Sequence, residues 1–136
     1  MEREEREGGT GLRTMAEACW AQARADYAAA VTLVDAGVYF ASVFFAQQAA
    51  EQALKAAHIQ KLQKIARGHN LIQMANALQA PLEVMNSAAE LNPEFLATRN
   101  PEVASGVPSR NYDRKSARLH LHCAQTIVDW IKASLY

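Results

Sequence analysis

Close pairs of cysteines are missing from this 136-residue chain, which holds only Cys19 and Cys123. Without a near pair there is no zinc knuckle and no redox motif, and two reduced, buried thiols are expected. Charge of one sign is missing too. Fourteen basic and fourteen acidic residues give a net charge of zero, so no overall field draws the chain to nucleic acid. No apolar run reaches the roughly 18 residues of a membrane span. The N-terminal "MEREEREGGTGLR" has no apolar core of a signal peptide, which points to the cytoplasm. Alternating β-branched residues are absent, so strands are not expected. Gly8-Gly9-Thr10-Gly11 follows no strand and is not a phosphate loop.

Helical periodicity is abundant, and half of the residues are hydrophobic, enough for one core. Residues 1–13 are expected to be a disordered tail, and 14–136 one helical domain. Thr14-Met15-Ala16-Glu17 has the spacing of a capping box. Trp20, Ala23, Tyr27, Val31 and Val34 then make an apolar stripe that Gly37 stops. A second helix, from about Val38 into the 60s, is apolar over so wide an arc that it should be central. Asn70 or His69 can cap a short helix with Leu71, Met74, Ala75 and Leu78 inside. Pro81 opens another short helix that reaches about Leu91. "RNPEVASGVPS", Arg99 to Ser109, is the one long internal loop. A last helix starts near Asn111 or Asp113, with Leu119, Cys123, Ile127, Trp130 and Ile131 as its core stripe. The expected fold is all-α: an up-and-down bundle of about five helices, three long and two short.

The central helix carries an unusual polar row. Gln48, Glu51, Gln52 and Lys55 recur at three- and four-residue steps on one side, below Phe44. Glu51 and Lys55 have the favourable order for an ion pair. A solvated face would explain the row. Phe44 leading into it favours a subunit interface or a shallow cleft.

"FFAQQAAEQALKAA", Phe44 to Ala57, resembles the signature helix of the HEPN family, the higher-eukaryote and prokaryote nucleotide-binding domain. Family members read approximately "F-x-A-Q-Q-A-A-E-K-A-L-K-A" there. Gly37-Val38-Tyr39 is similar to the family's "G-x-Y", and His69-Asn70-Leu71 to its "H-D-L". Leu91-Asn92-Pro93, followed by Arg99-Asn100-Pro101-Glu102, is similar to "L-x-P…R-Y-P-D". Tyr112 heading the last helix also fits, so the likeness runs from Trp20 to Ile131. It implies a helical bundle, often a two-fold dimer, acting beside a small nucleotidyltransferase in toxin-antitoxin or stress systems.

Many relatives are metal-independent endoribonucleases. Their motif is an arginine, a polar residue and a histidine, with four to six residues between arginine and histidine. Here the required positions after Arg99 hold Ala104, Ser105 and Gly106, and those after Arg110 hold Lys115, Ser116 and Ala117. Arg114 and His120 have the spacing, but on one helix they point about 120° apart. The motif therefore reads as absent or degenerate, with Arg114 and His120 as the alternative catalytic pair. Arg99, Arg110 and Arg114 remain as an anion-binding rim for a nucleotide or RNA, with Arg99, matching the family's arginine, as the first choice. His120 and His122 face different ways, and His58 and His69 have no acid or thiol at ligand spacing, so neither a metal nor a cofactor is expected. The chain reads as a dimeric interaction module. An endoribonuclease toxin and a purely structural dimer are the alternatives.

Overall fold

The computed structural model describes residues 2–135, with side chains from Gly11 to Leu135. Seven α-helices and one 3-10 turn follow in order: α1 Glu2–Asp35, α2 Tyr39–Leu62, α3 Leu71–Ala77, α4 Leu82–Leu91, α5 Glu94–Ala97, α6 Pro101–Ala104, the 3-10 turn Pro108–Arg110, and α7 Arg114–Leu135. Three are long, α3 and α4 are the two short helices expected, and α5 and α6 are single turns. No strand occurs among the described residues. The long internal loop is punctuated by α6 and the 3-10 turn, each begun by a proline.

α2 is the centre, flanked by α1 and α7. Its Ala46, Ala49, Ala50, Ala53, Ala56 and Ala57 are all buried. Alanine side chains let neighbouring backbones approach closely, and one helix can then be covered on several sides. Ser42 reinforces the contact, its hydroxyl donating to the Ala30 carbonyl at 2.7 Å. The chain turns at Gly37, whose φ of 79° lies in the left-handed region that glycine enters without strain. At this end Val34, Val43 and Ala117 pack together. The start of α7 thus lies beside the end of α1, and α7 runs antiparallel to it.

Local signals place the remaining helices. The Asn70 carboxamide accepts the Gln73 N–H at 3.0 Å, capping α3. The Asn92 oxygen takes the Leu71 N–H at 2.9 Å. Leu71, Met74, Ala75 and Leu78 are buried as their spacing predicts. His58, also buried, donates from Nε2 to the Met74 carbonyl at 2.9 Å, fastening α3 to α2. Asp113 and Ser116 exchange side-chain bonds with each other's N–H at 2.8 and 3.0 Å and so open α7.

Three expectations need correction. α1 runs through Thr14 instead of starting there, in spite of the glycines just before it, and joins a stretch of Glu and Arg, which form helices well. Of the tail expected over residues 1–13, Met1 and the side chains of 2–10 lie outside the described residues. On α1 the buried line is Ala16, Ala23, Asp26, Ala30 and Val34, while Trp20, Tyr27 and Val31 are half-buried beside it. On α7, Leu119 is 49% exposed, and the buried line is Ala117, His120, Cys123, Ala124, Ile127 and Ile131. The same three- and four-residue steps run through His120, so a histidine sits where the leucine was expected.

Candidate functional site

The polar residues of α2 form a hub inside the fold. Glu51 is 2% exposed, and an unpaired carboxylate there would lose its hydration with nothing in return. The fold supplies three donors. Lys55 Nζ reaches Oε2 at 3.1 Å, one helical turn on. The Gln47 amide donates to Oε1 at 3.2 Å, and Gln48 donates to Gln47 Oε1 at 2.6 Å. The third donor is His69 Nδ1, 2.9 Å from Glu51 Oε1. Gln52 is half-buried and joins none of these bonds. The working row is thus Gln47, Gln48, Glu51 and Lys55, with Gln47 buried and outside the row that helical spacing picked out.

His69 has no acid at ligand spacing in the sequence, and the fold brings it one from far along the chain. The loop after α2 folds back and brings it to a carboxylate 18 residues upstream, a contact no helical spacing encodes. Its ring lies flat on Phe95, with centroids 3.8 Å apart and planes at 16°. Because Nδ1 carries the proton that Glu51 accepts, a neutral His69 leaves Nε2 as an acceptor. Its side chain is 48% exposed. One turn past Phe95, the exposed Arg99 guanidinium lies 4.9 Å from the centre of the Phe44 ring. Phe45 meets Phe44 edge-on. Phe44, Glu51, His69, Phe95 and Arg99 therefore join the α2 face to the α5 segment.

A second cluster lies on the other side of α5. Glu94 accepts the Tyr112 hydroxyl through Oε2 and meets His120 Nε2 at 3.5 Å through Oε1. His120 Nδ1 donates to the Ser116 carbonyl at 2.7 Å. With one nitrogen on a carbonyl and the other on a carboxylate, the doubly protonated ring fits best. Burial opposes that charge, but the Glu94 bond, the Ser116 carbonyl and the carboxylates of Glu94 and Glu90 outweigh it and raise the His120 pKa. Burial likewise opposes the Glu94 charge, yet the bonds from His120 and Tyr112 and the His120 charge bring its pKa below the ordinary value. Burial, with the Glu94 bond and charge, pushes the Tyr112 phenol far up, so it stays a donor.

Arg114 and His120, the alternative catalytic pair, have separate settings. Arg114 is exposed and donates from Nε to the Tyr39 hydroxyl at 3.4 Å, while His120 is buried against Glu94. Arg110 is exposed in the 3-10 turn and has no side-chain bond to a described residue. The three arginines of the expected rim thus have three different settings, and only Arg99 adjoins the α2 hub. No group of three or more metal-ligating side chains occurs among the described residues. Cys19 is half-buried, which departs from the expectation, and Cys123 is buried. Burial pushes both thiols up and makes them poor nucleophiles. On α1, Asp26 faces this region. Burial pushes its carboxyl up, the Gln22 amide at 2.8 Å opposes this, and the Glu51 charge adds to it.

The glutamine-rich α2, the histidine folded back onto it and the α5 turn belong to a bundle that recurs in known proteins. The HEPN domain model matches residues 16–134. A crystal structure of a Thermus thermophilus protein has 30% identity and a TM-score of 0.82, covering 88% of this chain and 98% of its own. An archaeal HEPN homologue has 26% identity and a TM-score of 0.79, covering 89% and 98%. An HEPN domain protein from Thermotoga maritima has 26% identity and a TM-score of 0.68, covering 86% and 96%. No curated protein matches the chain. With nearly the whole bundle matched, from the buried alanines of α1 to the last turn of α7, the chain belongs to the HEPN domain family.

Proposed function

We propose that this HEPN domain is a non-cleaving interaction module. It works as a homodimer beside a separately encoded small nucleotidyltransferase, in a toxin-antitoxin or stress system, and Arg99 contacts a phosphate-bearing nucleotide or RNA. The observation that carries the reading is the state of His120. It is the one histidine at ribonuclease spacing from an arginine, and both of its nitrogens are engaged by Ser116 and Glu94. A ring held in this way has no nitrogen left to take a proton from a ribose hydroxyl. Association is supported by the segment around Arg99, where Leu96, Val103 and Val107 are exposed.

Incubating the purified protein with RNA in EDTA tests the catalytic part. Intact RNA is expected, and cleavage that His120→Ala abolishes would overturn the reading. Cleavage that survives His120→Ala would direct attention to the half-exposed His69, whose bond to the buried Glu51 has the form of an oriented base. Nucleotide titration tests the ligand. Affinity should fall with added salt, since Arg99 is exposed, and should drop in Arg99→Ala. Sedimentation tests the assembly, and a species of 14.9 kDa at micromolar concentration would contradict the dimer.

A further inference from the structure

A second region of the molecule has the opposite character. Between α1 and α7 lies a cleft of about 500 Å³, within the size range of small-molecule sites. Trp20, Arg24 and Tyr27 line it from α1, and Gln125, Asp129 and Lys132 from α7. Each set recurs at three- and four-residue steps, so each is one helical face. The cleft exists because both helices lean on α2. Ala23 and Ala30 of α1 and Ile127 and Ile131 of α7 share the core with the alanines of α2. The half-buried Trp20 and Tyr27 pack against the edge of that core and wall the cleft.

The charged and amide side chains of the cleft are exposed. Arg24, Gln125, Asp129 and Lys132 have no side-chain hydrogen bond or ion pair with another described residue, although both signs of charge line the same cleft. The Tyr27 hydroxyl also bonds to no described residue, and burial and the Asp129 charge keep its phenol protonated and a donor. Two cations face one carboxylate, which leaves an excess of positive charge. Because α7 runs antiparallel to α1, Lys132 lies toward the Trp20 end and Gln125 toward the Tyr27 end. Two aromatic side chains offer surface to a flat ring. Arg24 and Lys132 offer charge-assisted bonds to an anion on it.

We propose that this cleft binds a small aromatic anion: a flat ring packed against Trp20 and Tyr27, whose carboxylate, sulfonate or phosphate is held by Arg24 and Lys132. Asp129 and Gln125 bond to polar atoms on the ring's edge. The site shares no residue with the α2 hub or with Arg99, so it stands or falls independently of the function proposed above.

The probe is 1-anilinonaphthalene-8-sulfonate, a ring system with one sulfonate. The chain has two tryptophans, so Trp130→Phe leaves Trp20 as the reporter. Dye emission from the unmodified protein gives the same readout if that variant fails to fold. Saturable binding of one dye per chain is expected, with quenching of Trp20. Arg24→Glu together with Lys132→Glu should weaken it by about tenfold or more, roughly the 1.4 kcal/mol of one charge-assisted contact, with an unchanged circular dichroism spectrum. Displacement by adenosine monophosphate would identify a phosphate-bearing ring, and displacement by benzoate a simple aromatic acid. Either supports the site, and failure of both competitors overturns it. Binding that ignores the charge reversal overturns it as well. So does a dye that binds only when the chain is too dilute to associate, because the occupant is then a second copy.

Discussion

The α2–α5 face and the α1–α7 cleft are built from similar residues but use them differently. Both combine aromatic rings, a carboxylate, an arginine and a lysine. On the α2–α5 face these groups bond to each other. Glu51 holds Lys55 and His69, His69 stacks on Phe95, and Arg99 lies on Phe44. In the cleft, Arg24, Lys132 and Asp129 make no side-chain hydrogen bond or ion pair with another described residue. Burial explains the difference. A carboxylate as deep as Glu51 must have donors, whereas the exposed Asp129 keeps its water. Groups that close the fold hold shape, and groups left open remain available to a ligand. The conspicuous polar motif of this sequence is therefore first a structural device.

Substitutions should separate the two regions. Glu51→Ala should cost the most, about 2–4 kcal/mol in urea unfolding, since it removes the acceptor of three donors. The loss stays below that of a fully buried pair because Lys55 and His69 can reach water. A cost under about 0.5 kcal/mol would make the hub an ordinary surface pair.

Glu94→Gln should cost about 1–3 kcal/mol, with a distinct pH dependence. Folding raises the His120 pKa, so that contribution is complete below the ordinary value of 6.5 and is lost as pH rises through the raised value. Folding lowers the Glu94 pKa, so its contribution is present above 4.5 and is lost on acidification through the lowered value. The deficit of Glu94→Gln should therefore be largest between those two ordinary values and shrink on either side. A deficit that is flat from pH 4 to 9 would remove the ion pair from the account.

Asp26→Asn should move stability the other way. The Asp26 pKa is raised by folding, so the native state disfavours its charge and loses stability as pH rises. Asparagine removes that charge, and the melting temperature should rise at pH 8 relative to pH 4 when compared with the unmodified protein. In the cleft, Arg24→Glu with Lys132→Glu should change stability by no more than about 0.5 kcal/mol. A larger loss would mean that these cations already have a structural task.

Much of the fold is legible in the sequence because its signals are local. The alanine and leucine periods place the helices, Asn70 and Asp113 cap them, and Gly37 marks the first turn. The contacts that give the site its character are not local. His69 meets Glu51 across the α2–α3 loop, and His120 meets Glu94 across the long connection, so no spacing reveals either pair. One part is readable after all. The line His120, Ala124, Ile127, Ile131 has helical steps, and following it buries His120 and exposes Leu119. Trp20 and Tyr27 suit a core by size and apolar character. Alanines 23 and 30 hold that place instead, which leaves the rings to wall a cleft.

The proposal that His120 serves the fold is tested most directly by following its imidazole protons by NMR through a pH titration. The ring should titrate above the ordinary value of 6.5, and Glu94→Gln should bring it down. A His120 that titrates at or below 6.5, and does not respond to Glu94→Gln, would be a free base and would contradict the account.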